Sequence, residues 1–136
     1  MIVAGNSAPT ATNQNRSSMI RVMLVDDSAV IRGLLKRWLQ EDPDIEVITS
    51  ATNGEEAQGE IEKHKPDIVI LDIEMPKMDG ITALPLLLKR SPRTKIIMSS
   101  TLTTRNADVA LQALALGAAD YIAKPTTSND LHAADG

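Results

Sequence analysis

Acidic residues, hydroxyl groups and a lysine follow four separate apolar runs of the 136-residue chain, at the point where each run ends. They are Asp26 and Asp27 after residues 20–25, Asp72 after residues 68–71, Ser99, Ser100 and Thr101 after residues 95–98, and Lys124 after residues 121–123. Carboxylates that lie close together repel one another unless a cation joins them, and Mg²⁺ prefers such oxygen ligands. A carboxylate can also act as a nucleophile and form an aspartyl phosphate, while a lysine can pair with a phosphoryl oxygen. These residue types therefore predict a magnesium-dependent phosphoryl-transfer site, provided that the fold brings the four ends together.

The four ends can meet only if the elements that precede them fold into one sheet. Along the chain, short apolar runs alternate with amphipathic stretches. Residues 22–25, 68–71 and 96–98 are apolar at every position, which is typical of strands covered on both faces, whereas residues 45–49 and 121–123 are more mixed, as edge strands are. Four stretches between them have apolar residues at helical spacing, although Pro85 conflicts with a regular helix there. The pattern predicts an α/β fold, a doubly wound five-stranded parallel sheet. Ligands of such sheets bind beyond the carboxyl ends of the strands, where all four groups lie.

Composition narrows the function classes. The chain has no cysteine, a formal net charge of -4, and Trp38 and Tyr121 as its only aromatic residues. These values argue against a disulfide framework, a nucleic-acid partner and a base-stacking surface. No apolar run reaches the roughly 18–20 residues of a membrane span, so we expect no membrane insertion and a cytoplasmic location. We expect residues 1–18 to be a disordered extension, residues 19–125 the folded domain, and residues 126–136 a polar tail.

Three motifs then resemble the receiver domains of two-component response regulators: residues 25–28, residues 71–80 and residues 122–125, in the family's order and over residues 20–125. The resemblance implies a flavodoxin-like strand order of 2-1-3-4-5 and a histidine kinase as phosphoryl donor. It assigns the phosphoacceptor to Asp72, a phosphoryl contact to Lys124, with its bond to Pro125 typically cis, the switch hydroxyl to Ser100 and the reorienting aromatic to Tyr121. Ser99 and Thr101 are the alternatives for the switch. The implied Mg²⁺ ligands, for which Mn²⁺ could substitute, are Asp26, Asp27, Asp72 and the backbone carbonyl of Glu74.

Residues 71–87 and 98–103, followed by residues 113–118, are similar to the N-terminal regulatory domain of the chemotaxis protein-glutamate methylesterase family. In that family the receiver controls its own C-terminal effector domain, an esterase that demethylates chemoreceptor glutamates. The chain contains no G-x-S-x-G nucleophile motif, and His64 and His132 are its only histidines. We therefore predict no methylesterase site within these residues.

The segment after Pro125 is too short and polar for the fifth helix that normally covers one face of a receiver sheet. We accordingly expect that helix to be missing or truncated and the chain to self-associate through the uncovered sheet face. The output surface is expected on the helix near residues 105–116 and the last strand.

Two other functions compete with this interpretation. A haloacid-dehalogenase-type phosphatase also uses an aspartyl nucleophile and magnesium, and residues 72–74 faintly resemble its acid-x-acid motif. That family places the motif on the first strand, whereas here it ends the third. A stand-alone receiver that acts only by binding other proteins is the other alternative.

Overall fold

The computed structural model describes residues 19–125, which contain five strands and four helices in strict alternation. The strands are β1 (Ile20–Val25), β2 (Ile45–Ala51), β3 (Ile68–Asp72), β4 (Lys95–Ser100) and β5 (Asp120–Ala123). The helices are α1 (Ala29–Leu39), α2 (Gly54–His64), α3 (Gly80–Arg90) and α4 (Thr104–Ala115). The expectations for residues 1–18 and 126–136, including the truncated fifth helix, lie outside the described residues.

The sheet is entirely parallel and has the order β2-β1-β3-β4-β5. The predicted doubly wound fold and the strand order 2-1-3-4-5 are therefore confirmed. Strands β2 and β5 lie at the two edges, and their mixed sequences match that position. The order reverses next to β1, so the carboxyl ends of β1 and β3 flank the crevice where such sheets bind ligands.

Two apolar clusters of unequal size hold the layers together. The larger one packs α2, α3 and α4 against one face of the sheet, with Ile61, Leu84 and Ala113 all fully buried. The smaller one lies on the opposite face, where α1 contributes Leu35 as its one buried side chain. Within residues 19–125, α1 is the only helix on that face.

Polar side chains begin every helix in the same way. Ser28, Asn53, Asp79 and Thr103 each accept a hydrogen bond from the backbone N–H three residues later, which satisfies one of the free donors of the first turn. Pro85, whose type conflicts with a regular helix, lies inside α3 on its exposed side, and the helix continues past it to Arg90.

Glycine is required at the start of α3. A Cβ atom on Gly80 would lie 2.2 Å from the main-chain oxygen of Asp72, and the Gly80 N–H donates to the carbonyl of Ile73 at 2.8 Å. The helix thus begins in direct contact with the backbone that carries Asp72. Gly117 has a φ of +116°, which suits its place just after the end of α4.

Candidate functional site

Asp26, Asp27, Asp72 and Lys124 meet at the carboxyl edge of the sheet, as the strand ends predicted. Carboxylate oxygens of the three acids lie within 4.8 Å of one another. Asp26 and Asp72 are each 1% exposed, whereas Asp27 is open to solvent. The Lys124 ammonium reaches across from the end of β5 and lies 3.1 Å from Asp72 Oδ2 and 3.6 Å from Asp26 Oδ2.

Backbone N–H groups orient the two buried carboxylates. Ser28 N donates to Asp26 Oδ1 at 2.8 Å, and Glu74 N donates to Asp72 Oδ1 at 3.2 Å. Each bond closes a turn of the chain directly after its strand. These turns fix the two side chains through the local backbone, so the carboxylates stay close together despite their repulsion.

Two buried side-chain atoms of residues 19–125 have no hydrogen-bond partner, and both belong to this edge: Asp26 Oδ2 and Ser99 Oγ. A buried polar atom without a partner costs about 1–3 kcal/mol, so such atoms mark places where a further group is expected. An unsatisfied carboxylate oxygen beside two more carboxylates suits a hard divalent cation with oxygen ligands. The residues present therefore fit Mg²⁺.

The electrostatics reflect this crowding. Burial, together with the charge of Asp26, raises the pKa of Asp72 to about 6, against the opposing effect of Lys124. Burial also raises the pKa of Asp26, while the Ser28 N–H bond and Lys124 oppose the rise. Burial lowers the pKa of Lys124, but the charge and hydrogen bond of Asp72, with Asp26 and Asp27, raise it above its usual value overall. Without a bound cation, Lys124 thus offsets the negative charge and burial of the carboxylates only in part.

The three hydroxyl residues after the β4 run occupy different positions. Ser99 is in register with Asp72 on the neighbouring strand, so the two side chains share one face of the sheet. Ser100 is in register with Ala123 and lies on the opposite face, with Met98. Thr101 is exposed after the strand, and its Oγ1 and carbonyl accept hydrogen bonds from the buried Asn106 amide.

Other residues implied by the resemblance lie around this edge. Glu74 follows Asp72 by two residues, with its side chain exposed and its N–H on Asp72 Oδ1. Tyr121 lies on β5 and is 43% exposed. The cis bond between Lys124 and Pro125 is wrong for this structure, because residues 19–125 contain no cis peptide bond. The trans form is the lower-energy one for an X–Pro bond unless the surroundings favour the other.

Arg32 was missed by the sequence analysis. It lies in α1, and its Nη1 donates to the main-chain oxygen of Asp26 at 2.7 Å. Its signal in the sequence is weak, because an arginine in the first helical turn most often faces solvent. Only the path of the chain after β1 shows that this side chain folds back over the strand end.

Comparison with known proteins agrees with this geometry. Residues 22–134 match the family model of the response regulator receiver domain. The chain therefore belongs to the response regulator receiver domain family. This membership favours the receiver over the dehalogenase-type phosphatase considered above.

Similar relatives and solved structures refine the class to receivers of CheB-type chemotaxis regulators. The chain is 56% identical over 121 residues to the protein-glutamate methylesterase/protein-glutamine glutaminase 1 of Rhodospirillum rubrum, covering 89% of the chain and 31% of that relative. It is similar to the response regulator domain of Thermotoga maritima CheB, with 44% identity, a TM-score of 0.72 and 79% of each chain covered. It is also similar to a structure of the P1 domain of CheA3 in complex with CheY6 from R. sphaeroides, with 33% identity, a TM-score of 0.70, and 87% and 95% of the two chains covered.

The chain spans about a third of the length of the curated relatives that it matches. Its similarity to them therefore concerns their receiver part. Across residues 19–125, none of the helices combines the length and apolar character that crossing a membrane requires.

Proposed function

We propose that the chain accepts a phosphoryl group on Asp72 from a phosphohistidine of a chemotaxis histidine kinase. An Asp72 carboxylate oxygen forms the new bond to phosphorus as the phosphorus–nitrogen bond breaks, and the imidazole nitrogen leaves with the bonding electrons and takes a proton from solvent. The observation that carries this proposal is the buried Asp72 carboxylate, in contact with Lys124 and beside the unsatisfied oxygen of Asp26.

The residues around Asp72 have separate tasks in this step. Asp26, Asp27, Asp72 and the backbone carbonyl of Glu74 would hold Mg²⁺, or Mn²⁺ in its place. The bound ion supplies positive charge that offsets the charge of the transferring phosphoryl group. Lys124 can pair with a phosphoryl oxygen, since its ammonium already lies 3.1 Å from Asp72 Oδ2. Gly80 lets the start of α3 pack against the backbone of Asp72, which holds the acceptor strand and the following loop together.

The acceptor role is tested with acetyl phosphate and Mg²⁺, followed by intact mass measurement. The wild-type chain is expected to gain the mass of one phosphoryl group, and chelation of Mg²⁺ is expected to prevent it. Asp72→Asn keeps the size of the side chain but removes the nucleophile, so it is expected to gain nothing. Phosphorylation of the variant at the wild-type rate would exclude Asp72.

We assign the switch hydroxyl to Ser100, as the resemblance implies, with Ser99 and Thr101 as the alternatives. Ser100 lies on the same face of β4 as Met98, which is in register with Tyr121. Ser99 lies on the opposite face, in register with Ile122. Movement of Ser100 toward the phosphoryl group would therefore leave space on the face that carries Tyr121, the half-exposed aromatic of β5.

The output surface of this switch comprises α4, its cap Leu116 and β5, where Leu111, Leu116 and Tyr121 are exposed. In the full-length protein we propose that this surface controls a C-terminal protein-glutamate methylesterase, because the relatives that carry the matching receiver have that name and are about three times as long. A stand-alone receiver would use the same surface for another protein. Sequencing the complete reading frame separates these two proposals.

We also propose that the chain self-associates through the α1 side of the sheet and that it is located in the cytoplasm. The first rests on exposed apolar side chains there, namely Val30, Trp38 and Ile122. The second rests on the chemotaxis kinase as phosphoryl donor, and fractionation of cells would test it.

A further inference from the structure

Arg32 makes an unusual contact beside the acidic cluster. The half-buried side chain leaves α1 and lines a cleft of about 280 Å³ between α1 and β2, together with Lys36. Its guanidinium donates to the main-chain oxygen of Asp26 at 2.7 Å. Within residues 19–125 no Asp or Glu oxygen lies within 4.0 Å of it. Within these residues, the Arg32 guanidinium therefore binds a peptide carbonyl and not a carboxylate.

That carbonyl belongs to the peptide joining Asp26 to Asp27. The peptide group is planar, so holding the Asp26 oxygen sets the plane of the whole 26–27 unit and with it the direction in which Asp27 leaves the strand. On the other side, Asp26 N donates to the carbonyl of Ala51 at 3.1 Å. Asp26 is thus held at its amide and at its oxygen by two different elements, β2 and α1.

Asp27 itself has no comparable support. Its side chain is exposed, and no hydrogen bond or ion pair to its carboxylate comes from residues 19–125. Nevertheless its oxygens lie within 4.8 Å of those of Asp26 and Asp72. An exposed carboxylate that is repelled by its neighbours keeps this position more readily if its backbone is held. Two side chains hold that backbone: Asp26 Oδ1 accepts from Ser28 N–H on the following peptide, and Arg32 donates to the preceding one.

We propose that Arg32 is a positioning residue for the divalent-cation site, because its bond to the Asp26 carbonyl aims the Asp27 carboxylate at Asp26 and Asp72. This inference rests on the magnesium site of the proposed function. Residues that orient metal ligands typically change affinity by about 10–100-fold when removed. Because Arg32 acts through one peptide unit, we expect the low end of that range, roughly a tenfold loss.

The sign of the effect separates positioning from simple electrostatics. Arg32 carries a positive charge near a cation site, so a purely electrostatic role predicts that its removal strengthens divalent-cation binding. Loss of positioning predicts the opposite. Lys36 is a matched control, since it lines the same cleft on the same helix, is exposed and makes no contact with Asp26. Its charge is largely screened at physiological ionic strength, so Lys36→Met is expected to change affinity by less than about twofold.

The experiment measures Mn²⁺ binding to the full chain by electron paramagnetic resonance, with Mg²⁺ as competitor and no phosphoryl donor present. Arg32→Met is expected to bind both ions about tenfold more weakly than wild type, and Arg32→Lys, which keeps a charged donor, is expected to recover most of the loss. Circular dichroism verifies the fold of each variant, and Arg32→Gln, which keeps a shorter polar side chain, replaces Arg32→Met if the latter does not fold.

The outcomes distinguish this inference from the function on which it rests. Equal or tighter binding by folded Arg32→Met or Arg32→Gln, with normal binding by wild type, overturns the positioning role and leaves the magnesium site intact. An equal loss in Lys36→Met also overturns it, since the contact with Asp26 would not matter. Absence of specific Mn²⁺ and Mg²⁺ binding by the wild-type chain would instead contradict the proposed function.

Discussion

Asp72 combines two properties that oppose each other at the scale of a single residue. It is buried among apolar strand residues, which disfavours its charge, yet a nucleophile for phosphorus must be ionised. The Lys124 contact compensates this burial only in part, since the pKa of Asp72 still rises to about 6. The cation-free protein therefore maintains a reactive carboxylate at the expense of stability.

This cost predicts a stabilising variant. The pKa of Asp72 is higher in the folded chain than in the unfolded chain, so the folded chain binds this proton more tightly. Ionisation of Asp72 therefore lowers the free energy of unfolding by its full amount above about pH 6. This loss disappears as the pH falls from about 6 to 3.8. At pH 7.5 in EDTA, Asp72→Asn is expected to raise the free energy of unfolding by about 1–3 kcal/mol; the upper value is the full pKa rise, from 3.8 to about 6, converted to energy. Urea unfolding of both proteins from pH 4 to 8 measures it.

The difference between the two proteins is the informative quantity, because other acids titrate in both. It is expected to shrink toward pH 4, and Mg²⁺ is expected to stabilise wild type more than the variant. A variant that is less stable than wild type at pH 7.5 would show that the Lys124 ion pair outweighs the burial of Asp72.

The choice between Ser99 and Ser100 gives a second prediction. Beryllofluoride with Mg²⁺ serves as the phosphoryl analogue, and hydrogen exchange of α4 and β5 is the readout. Ser100→Ala is expected to shift the switched population by roughly two- to tenfold, because one hydroxyl hydrogen bond contributes about 0.5–1.5 kcal/mol. It is not expected to abolish the response, since a complete shift needs roughly 5.5 kcal/mol.

Ser99→Ala is the matched control and is expected to respond as wild type does, because its side chain lies on the face of β4 away from Tyr121. A response weakened in Ser99→Ala and retained in Ser100→Ala would reverse the assignment.

At the scale of elements, the start of α3 is tied to the phosphoacceptor strand. Gly80 donates to the Ile73 carbonyl, and its Cα faces the main-chain oxygen of Asp72. Helix α3 is also buried along Ala83, Leu84 and Leu87, so it cannot move away without opening the larger core. The loop and helix after Asp72 are therefore one packed unit with the strand.

Gly80→Ala tests this unit. The added methyl group would lie 2.2 Å from the Asp72 oxygen, so the backbone must shift, and we expect a loss of about 2 kcal/mol or more in the free energy of unfolding, with weaker Mg²⁺ binding. Gly59→Ala in α2 is the control, since a Cβ there meets nothing within 4 Å, and it is expected to stabilise by about 0.4–1 kcal/mol. Equal stability of the two variants in urea unfolding would refute the close contact.

At this scale, most of the fold could be predicted from the sequence. All five strands and four helices were predicted, because uninterrupted apolar runs such as residues 68–71 and the helical spacing of residues 81–88 leave few alternatives. The position of the site at the carboxyl edge of the sheet followed from the predicted parallel topology. The faces of residues 99–101 did not follow, since all three residues bear hydroxyl groups and only the pairing of β4 with β3 and β5 tells those faces apart. The Arg32 contact also required the three-dimensional path of the chain.

At the scale of the whole molecule, two basic side chains tie helix ends to the amino edge of the sheet, opposite the acidic cluster. There Arg21 donates to the carbonyls of His64 and Lys65 at the end of α2, and Lys65 donates to the carbonyl of Arg90 at the end of α3. Cations at helix carboxyl ends offset the negative ends of the helix dipoles. Arg21 and Lys65 therefore stabilise the ends of α2 and α3 and lie away from the acidic cluster.

Within residues 19–125 the two faces of the sheet are covered unequally, and this predicts association. On the α1 face, Leu24 and Ile70 are buried, but Ile122 is 37% exposed on β5 and Trp38 is 40% exposed on α1. Exposed apolar area on one side favours pairing with a second copy, since burial contributes about 25 cal/mol per Å². We expect sedimentation velocity to show a mean mass that rises with protein concentration.

A charge on that face should oppose the pairing. Ile122→Lys is expected to shift the chain toward monomer, because dimerisation would then bury an unpaired ammonium group. Leu102→Lys is the matched control: Leu102 is 84% exposed in the loop between β4 and α4, so the same substitution there adds the same charge away from the α1 face. If wild type stays monomeric over the whole concentration range, the area left open on this face is too small for association. If both variants dissociate equally, net charge rather than this face controls the assembly.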